Sequence, residues 1–144
     1  MRILIDTNVI VNYLTEREDK YTEESKQIMM MCAQNLFEGY VAFHSMSIIW
    51  YSSRKYASEA TRRKWLKQVC EILTVTSAGH DAVVEAVHNL EFRDFEDNLQ
   101  DICAQSVNAD YIVTVNTKDY EHSRVRAVTP DELVQILNEQ NPQA

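Results

Sequence analysis

Three short blocks of the 144-residue chain carry side chains that could do chemistry together: Asp6, then Asp94, Glu96 and Asp97, then Asn116 with Asp119. Carboxylates held close together repel, and each raises the other's pKa unless a cation neutralises them. A cluster of them therefore points to a hard divalent metal with oxygen ligands. Taken singly, each has an ordinary explanation. Asp6 could cap a helix starting at Thr7, Asp94 with Asp97 could be a capping pair favoured by the helix dipole, and Asp119 could sit in an Asx turn. Whether the blocks meet depends on the elements that carry them.

Arg2 to Ile5 is a short apolar run ending at Asp6, and Val9, Ile10, Tyr13 and Leu14 follow at helical spacing, so a strand runs straight into a helix. A second helix is expected from about Tyr21 to Phe37, closed by Gly39. Tyr40 to Phe43 reads as a strand, with Ser45 or Ser47 capping a helix that carries Ile49, Trp50 and Tyr51. A helix from about Ser58 to Ile72 leads to a strand over Leu73–Thr76, and Val83, Val84 and Val87 mark the next helix. Asp94 opens a helix with Leu99, Ile102, Cys103 and Val107 on its apolar face. The β-branched run Tyr111 to Val115 is a buried strand, Val125 to Val128 a short last one, and Pro130 starts a helix through Leu137.

Strands alternating with helices predict a three-layer α/β/α fold around a mainly parallel sheet of about five strands. In such a fold the carboxyl ends of the strands share one rim with the amino ends of neighbouring helices, and ligand sites form there. Asp6, the Asp94–Asp97 block and the Asn116–Asp119 block all fall on that rim, and their joint placement is sharper evidence than any one of them.

Composition bounds the rest. With two glycines, two prolines and no linker-like stretch, the chain reads as one domain over residues 1–137 with a polar tail over 138–144. The first apolar run is too short for a signal peptide and no segment approaches a membrane span, so a cytoplasmic protein without a membrane partner is expected. Cys32, Cys70 and Cys103 lack metal-type spacing and read as reduced core thiols. A net charge of −8 works against a nucleic-acid binder. Positive charge nonetheless gathers in Arg54, Lys55, Arg62, Arg63, Lys64 and Lys67, which fits either a local basic surface or a solvated helix face. Trp50, Tyr51 and Tyr56 lie beside it, as stacking groups or as core. His44 and His122 fall near the rim and read as surface histidines.

The segments Ile3-Leu4-Ile5-Asp6-Thr7-Asn8, Asp94-Phe95-Glu96-Asp97-Asn98-Leu99-Gln100, Ala109 to Tyr120 (with Val113-Thr114-Val115-Asn116-Thr117-Lys118-Asp119) and Val128-Thr129-Pro130 together resemble the PIN-domain family. The correspondence runs in order over nearly the whole chain, and many small bacterial members are VapC-type toxins of toxin–antitoxin pairs. The resemblance implies a ribonuclease for single-stranded RNA with Mg²⁺ or Mn²⁺ as cofactor, an antitoxin partner and a homodimer, with the helices at Tyr21–Phe37 and Ser45–Tyr56 as its candidate interface. It implies that Asp6, Asp97 and Asp119 hold the metal, that Thr114 supports the rim by hydrogen bonding, that Asn8 holds Asp6, and that Asn116 stands where many relatives carry Asp. Asp94 or Glu96 could add a further carboxylate. One departure stands out: relatives place a Glu in the helix after the second strand, and the best-matching position here is Ile48, which cannot bind a cation. A PIN fold kept as a non-catalytic binding module for RNA or a partner protein is the alternative. A phosphoacceptor receiver domain is disfavoured, because the third strand ends at Val75-Thr76-Ser77-Ala78 without an acceptor acid.

Overall fold

The computed structural model describes residues 1–142. Five strands form one sheet, β1 (Arg2–Ile5), β2 (Glu38–Ala42), β3 (Thr74–Thr76), β4 (Tyr111–Val113) and β5 (Ala127–Val128), in the order β3-β2-β1-β4-β5 with every pair parallel. Six helices lie between them and a seventh follows β5 among the described residues: α1 (Thr7–Thr15), α2 (Thr22–Ala33), α3 (Phe43–Ser52), α4 (Glu59–Ile72), α5 (His80–His88), α6 (Phe95–Ser106) and α7 (Pro130–Gln140). This is the expected α/β architecture.

Successive strand side chains point to opposite faces, and the core divides accordingly. Ile3, Ile5, Val41 and Val113 pack with Val9, Ile10, Ile28, Ile49, Val69, Leu133 and Leu137, so α1, α2, α3, α4 and α7 share one apolar layer. Leu4, Ala42 and Ile112 face the other way, onto Cys103, Ala104, Phe92 and Tyr120, which brings α6 against the second face. The sheet is thus buried on both sides, as parallel sheets are. Among the described residues no helix is long and apolar enough to cross a membrane.

Several boundaries differ from expectation. The second helix ends at Ala33, and Asn35, at φ 61°, takes the left-handed conformation in the turn after it. Gly39 is no cap; it lies in β2, where a Cβ would come within 2.5 Å of Leu73 Cδ2 and 2.6 Å of Cys32 Sγ. Close packing of β2 against α2 and the end of α4 requires a residue without a side chain there. Helix α3 starts at Phe43 with no side-chain cap, so Ser45 lies inside its first turn. Strand β4 ends at Val113, two residues early, which frees Thr114 for the rim. Helix α7 runs to Gln140, so part of the segment expected as a tail is helical, while residues 143 and 144 lie outside the described residues. Cys32 and Cys103 are buried, but Cys70 is exposed on α4 and is not a core thiol.

Candidate metal centre

Asp6 follows the last residue of β1 and is the N-cap of α1. Its backbone N–H donates to Val113 O at 3.0 Å, continuing the β1–β4 ladder by one residue and setting Thr114 beside it. The side chain is 7% exposed and saturated with donors. Oδ1 accepts from the Thr7 N–H at 2.7 Å and from Gln100 Nε2 at 3.2 Å; Oδ2 accepts from Thr114 Oγ1 at 2.8 Å and faces Tyr120 Oη at 3.2 Å. Asp6 is thus a helix cap whose side chain also lies on the rim.

Helix α6 brings the other acids. Asp94 caps it, with Oδ1 accepting from the Asp97 N–H at 3.0 Å, and stays exposed. The capped first turn presents Glu96 and Asp97 inward, and Asp6, Glu96 and Asp97 each place a carboxylate oxygen within 4.8 Å of the other two. Burial raises the Asp97 carboxyl, and the charges of Asp6, Glu96 and Asp94 push it further, to about 8. Burial, with the Glu96 charge adding to it, carries Asp6 to about 6 despite hydrogen bonds from Thr114, Thr7 and Tyr120. Glu96 goes the other way. Burial disfavours its charge, but the His44 imidazole 3.2 Å away, with Gln100 Nε2 donating at 3.0 Å, outweighs this and holds it below the usual carboxylate range.

Tyr120 Oη lies 3.2 Å from both Asp6 Oδ2 and Asp97 Oδ1 but has a single proton to give. Both contacts are met when Asp97 is protonated and donates to the phenol, whose own pKa burial and the surrounding carboxylates push far up. Gln100, fully buried, is equally overcommitted: Nε2 lies within 2.7–3.4 Å of Ser45 Oγ, Glu96 Oε1, Asp6 Oδ1 and Thr7 Oγ1, while its Oε1 has no partner. Three hard carboxylates converge, with Asp97 held protonated near neutrality and Asp6 raised to about 6, and this donor set fits a hard divalent cation such as Mg²⁺ or Mn²⁺.

The structure separates the remaining expected site residues from this group. Asp119 lies on a short 3-10 turn, Thr117–Tyr120, half-exposed, with Oδ2 accepting from Asn116 Nδ2 at 2.8 Å; it is not among the three converging acids. Asn8 does not hold Asp6. It is exposed on the first turn of α1, and its Oδ1 accepts from Arg17 Nη2 at 3.4 Å. From α3 Ser45 reaches the neighbours of Asp6, 2.9 Å from Thr7 Oγ1, and His44 reaches Glu96, whereas Ile48 is half-buried. His122 is exposed, but His44 is no free surface histidine: Nε2 stands 3.2 Å from Glu96 Oε1, an ion-pair contact without good hydrogen-bond alignment. Burial works against its charge, yet the Cys103 sulfur and the Glu96 carboxylate outweigh it and raise His44 to about 9.

Sequence reasoning missed Gln100, Tyr120 and Ser45 as members of the site. Signals for two of them were present. Gln100 follows Glu96 at the i+4 spacing that puts side chains on one helix face, and Tyr120 follows directly on Asp119.

The chain belongs to the PIN domain family, whose sequence model matches residues 2–118. No curated protein matches it in sequence. Among solved structures it is similar to VapBC2 from Rickettsia felis, solved bound to a DNA fragment from its promoter (TM-score 0.68, 16% identity, covering 90% of this chain and 98% of that one). It is also similar to a toxin–antitoxin complex from Klebsiella pneumoniae (TM-score 0.65, 20% identity, 89% and 97% covered). A third is VapC20 from Mycobacterium tuberculosis, described as a sarcin-ricin loop cleaving toxin (TM-score 0.60, 13% identity, 76% and 86% covered). At these identities the likeness is one of fold.

Proposed function

We propose that this protein is a Mg²⁺- or Mn²⁺-dependent endoribonuclease acting on single-stranded RNA, and the toxin of a toxin–antitoxin pair. The observation that carries the reading is the convergence of Asp6, Glu96 and Asp97 on one rim, with Asp6 and Asp97 raised to about 6 and about 8. Repelling acids gathered in a buried site need something to neutralise them; a bound cation would do so, and it would supply positive charge to the phosphate oxygens and help ionise the attacking water. The protein's own residues hold this arrangement in place. Thr114 and the Thr7 N–H fix the two oxygens of Asp6, the Asp94 cap fixes the first turn of α6, and Gln100 ties Asp6 to Glu96. Tyr120 bridges Asp6 and Asp97, its hydroxyl 3.2 Å from each, and its oxygen accepts a hydrogen bond from Asp97 while that carboxyl keeps its proton. Asp119, turned toward Asn116, serves at the edge of the site, through water or after a local shift. Membership of the PIN family and the toxin–antitoxin complexes among its structural likenesses support an antitoxin partner, and a homodimer in the cytoplasm completes the proposal.

The test is cleavage of single-stranded RNA with Mn²⁺ or Mg²⁺, against an EDTA control and the Asp97→Asn variant. Cleavage that requires the metal and Asp97 is expected. Absence of metal-dependent cleavage from every RNA tried would leave a binding module in its place. A neighbouring short gene encoding a DNA-binding partner that co-purifies with the chain tests the antitoxin, and the mass in solution tests the dimer.

A further inference from the structure

The loop after α1 folds back along that helix and delivers a cation to its amino end. Arg17 Nε donates to Asn12 Oδ1 at 2.6 Å, and Nη2 reaches Asn8 Oδ1 at 3.4 Å, so the guanidinium lies along α1 toward the turn capped by Asp6. Its placement is built in from beneath. Asn12 is fully buried, and its amide is oriented by Asp19, whose Oδ2 accepts from Asn12 Nδ2 at 3.0 Å and from the Tyr21 N–H at 2.9 Å. The Thr22 hydroxyl also donates to the Arg17 carbonyl at 2.6 Å.

Among the described residues nothing pairs with the charge so delivered. Arg17 makes no ion pair among the described residues, its Nη1 meets no acceptor there, and it remains partly exposed. Nor is it the counter-ion of the acids, since the one ion pair that Asp6, Glu96 and Asp97 make among the described residues is with His44. A structural arginine so firmly held would be expected to face a carboxylate; one held by two neutral amides, with donors to spare, is prepared for an anion that arrives from outside.

We propose that Arg17 is a substrate-positioning residue that binds a phosphate of the RNA strand flanking the scissile one, with Asn8 and Asn12 as its braces. The inference rests on the nuclease reading above. It gives a chain of net charge −8 a fixed cation on the first turn of the helix that Asp6 caps, a counter to the repulsion that substrate would otherwise meet.

The test compares the parent with Arg17→Gln, which keeps a donor toward Asn12 but removes the charge, and Arg17→Lys, which keeps the charge. In Mg²⁺- or Mn²⁺-dependent cleavage of an unstructured RNA oligonucleotide, Arg17→Gln should raise KM about tenfold with kcat changed far less, and Arg17→Lys should recover part of the loss. Binding of the same labelled oligonucleotide in the Asp97→Asn background, followed by anisotropy against salt, should lose about 0.7 from the slope of log K on log salt when Arg17 is Gln, and keep it when Arg17 is Lys. A residue that merely braced the loop would lower the melting temperature and leave that slope alone. An active parent whose KM and salt slope are unmoved by Arg17→Gln overturns this inference only. A parent with no metal-dependent cleavage overturns the nuclease reading, and the inference with it.

Discussion

Asp97 and Asp101 stand one turn apart on α6, both buried, at 8% and 2% exposure, yet their surroundings are opposites. Asp101 accepts from the Val125 N–H at 3.0 Å, the Arg124 N–H at 3.1 Å and Gln105 Nε2 at 3.0 Å, and so pins the segment before β5 to the helix. Asp97 meets Asp6, Glu96 and Asp94, and its one side-chain hydrogen-bond partner outside the acids is the shared hydroxyl of Tyr120. A buried carboxylate is tolerable when its lone pairs meet donors and costly when they meet other carboxylates. One helix thus carries an acid that belongs to the architecture and, four residues earlier, an acid that is left wanting a cation. Residue type and burial are nearly the same for the two; only the partners tell them apart.

The comparison breaks most readily at Asp97. Asp97→Asn should cost about 1000-fold or more in metal-dependent RNA cleavage, while the metal-free protein melts at or above the temperature of the parent, because folding no longer has to keep a carboxyl protonated near neutrality. A large loss of stability in this variant would make Asp97 architectural, like Asp101.

Asp101→Ala should do the reverse. It leaves two backbone N–H groups without acceptors, at about 2–4 kcal/mol of stability, and the loss should appear equally with and without Mg²⁺. Chemical denaturation of parent and variant with metal and with EDTA measures it; an undiminished midpoint would show that the bonds to Arg124 and Val125 contribute nothing net.

The pH dependence sharpens the contrast further. Asp6 and Asp97 have folded values raised to about 6 and about 8 from an unfolded value of 3.8, so between these limits the folded chain holds more protons than the unfolded one. Stability must then fall as pH rises through that window. His44, raised from 6.5 to about 9, acts with the same sign, since its contribution is complete below 6.5 and is lost as pH rises through about 9. Metal-free melting temperatures should therefore decline from about pH 5 to about pH 8.5, and added Mn²⁺ should stabilise most at the upper end, where the protons it must displace are already leaving. A metal-free protein that grows more stable across this range would contradict the raised acids.

The smallest effect is expected at Tyr120. Tyr120→Phe removes the hydroxyl shared by Asp6 and Asp97 but keeps the ring packed edge-on against Phe92, with centroids 6.3 Å apart. Metal affinity should weaken about tenfold, as for the loss of a group supporting a ligand, with stability changed by about 1 kcal/mol or less. Calorimetric titration of Mn²⁺ into both proteins measures this, and an unchanged affinity would remove Tyr120 from the support of the site.

The sequence by itself determined a good deal. Its alternating strand and helix patterns specified a parallel α/β sheet, because β-branched runs and 3.6-residue apolar spacing have few other ways to bury themselves. It also placed Asp6 and the Asp94–Asp97 block on one rim, since in that architecture strand ends and helix starts have nowhere else to go. It could not say which acids would touch. That Glu96 joins Asp6 and Asp97, that Asp119 turns to Asn116, that Asn8 serves Arg17, and that Gln100, Tyr120 and Ser45 complete the group were decided by the tertiary structure alone. Local spacing reaches only one turn along a helix or one step across a strand, whereas the contacts of Tyr120 with Asp97 and with Asp6 join residues 23 and 114 positions apart in the chain. Such partners depend on the β1–β4 register and on how α3 and α6 close over it, and those are products of packing the whole core.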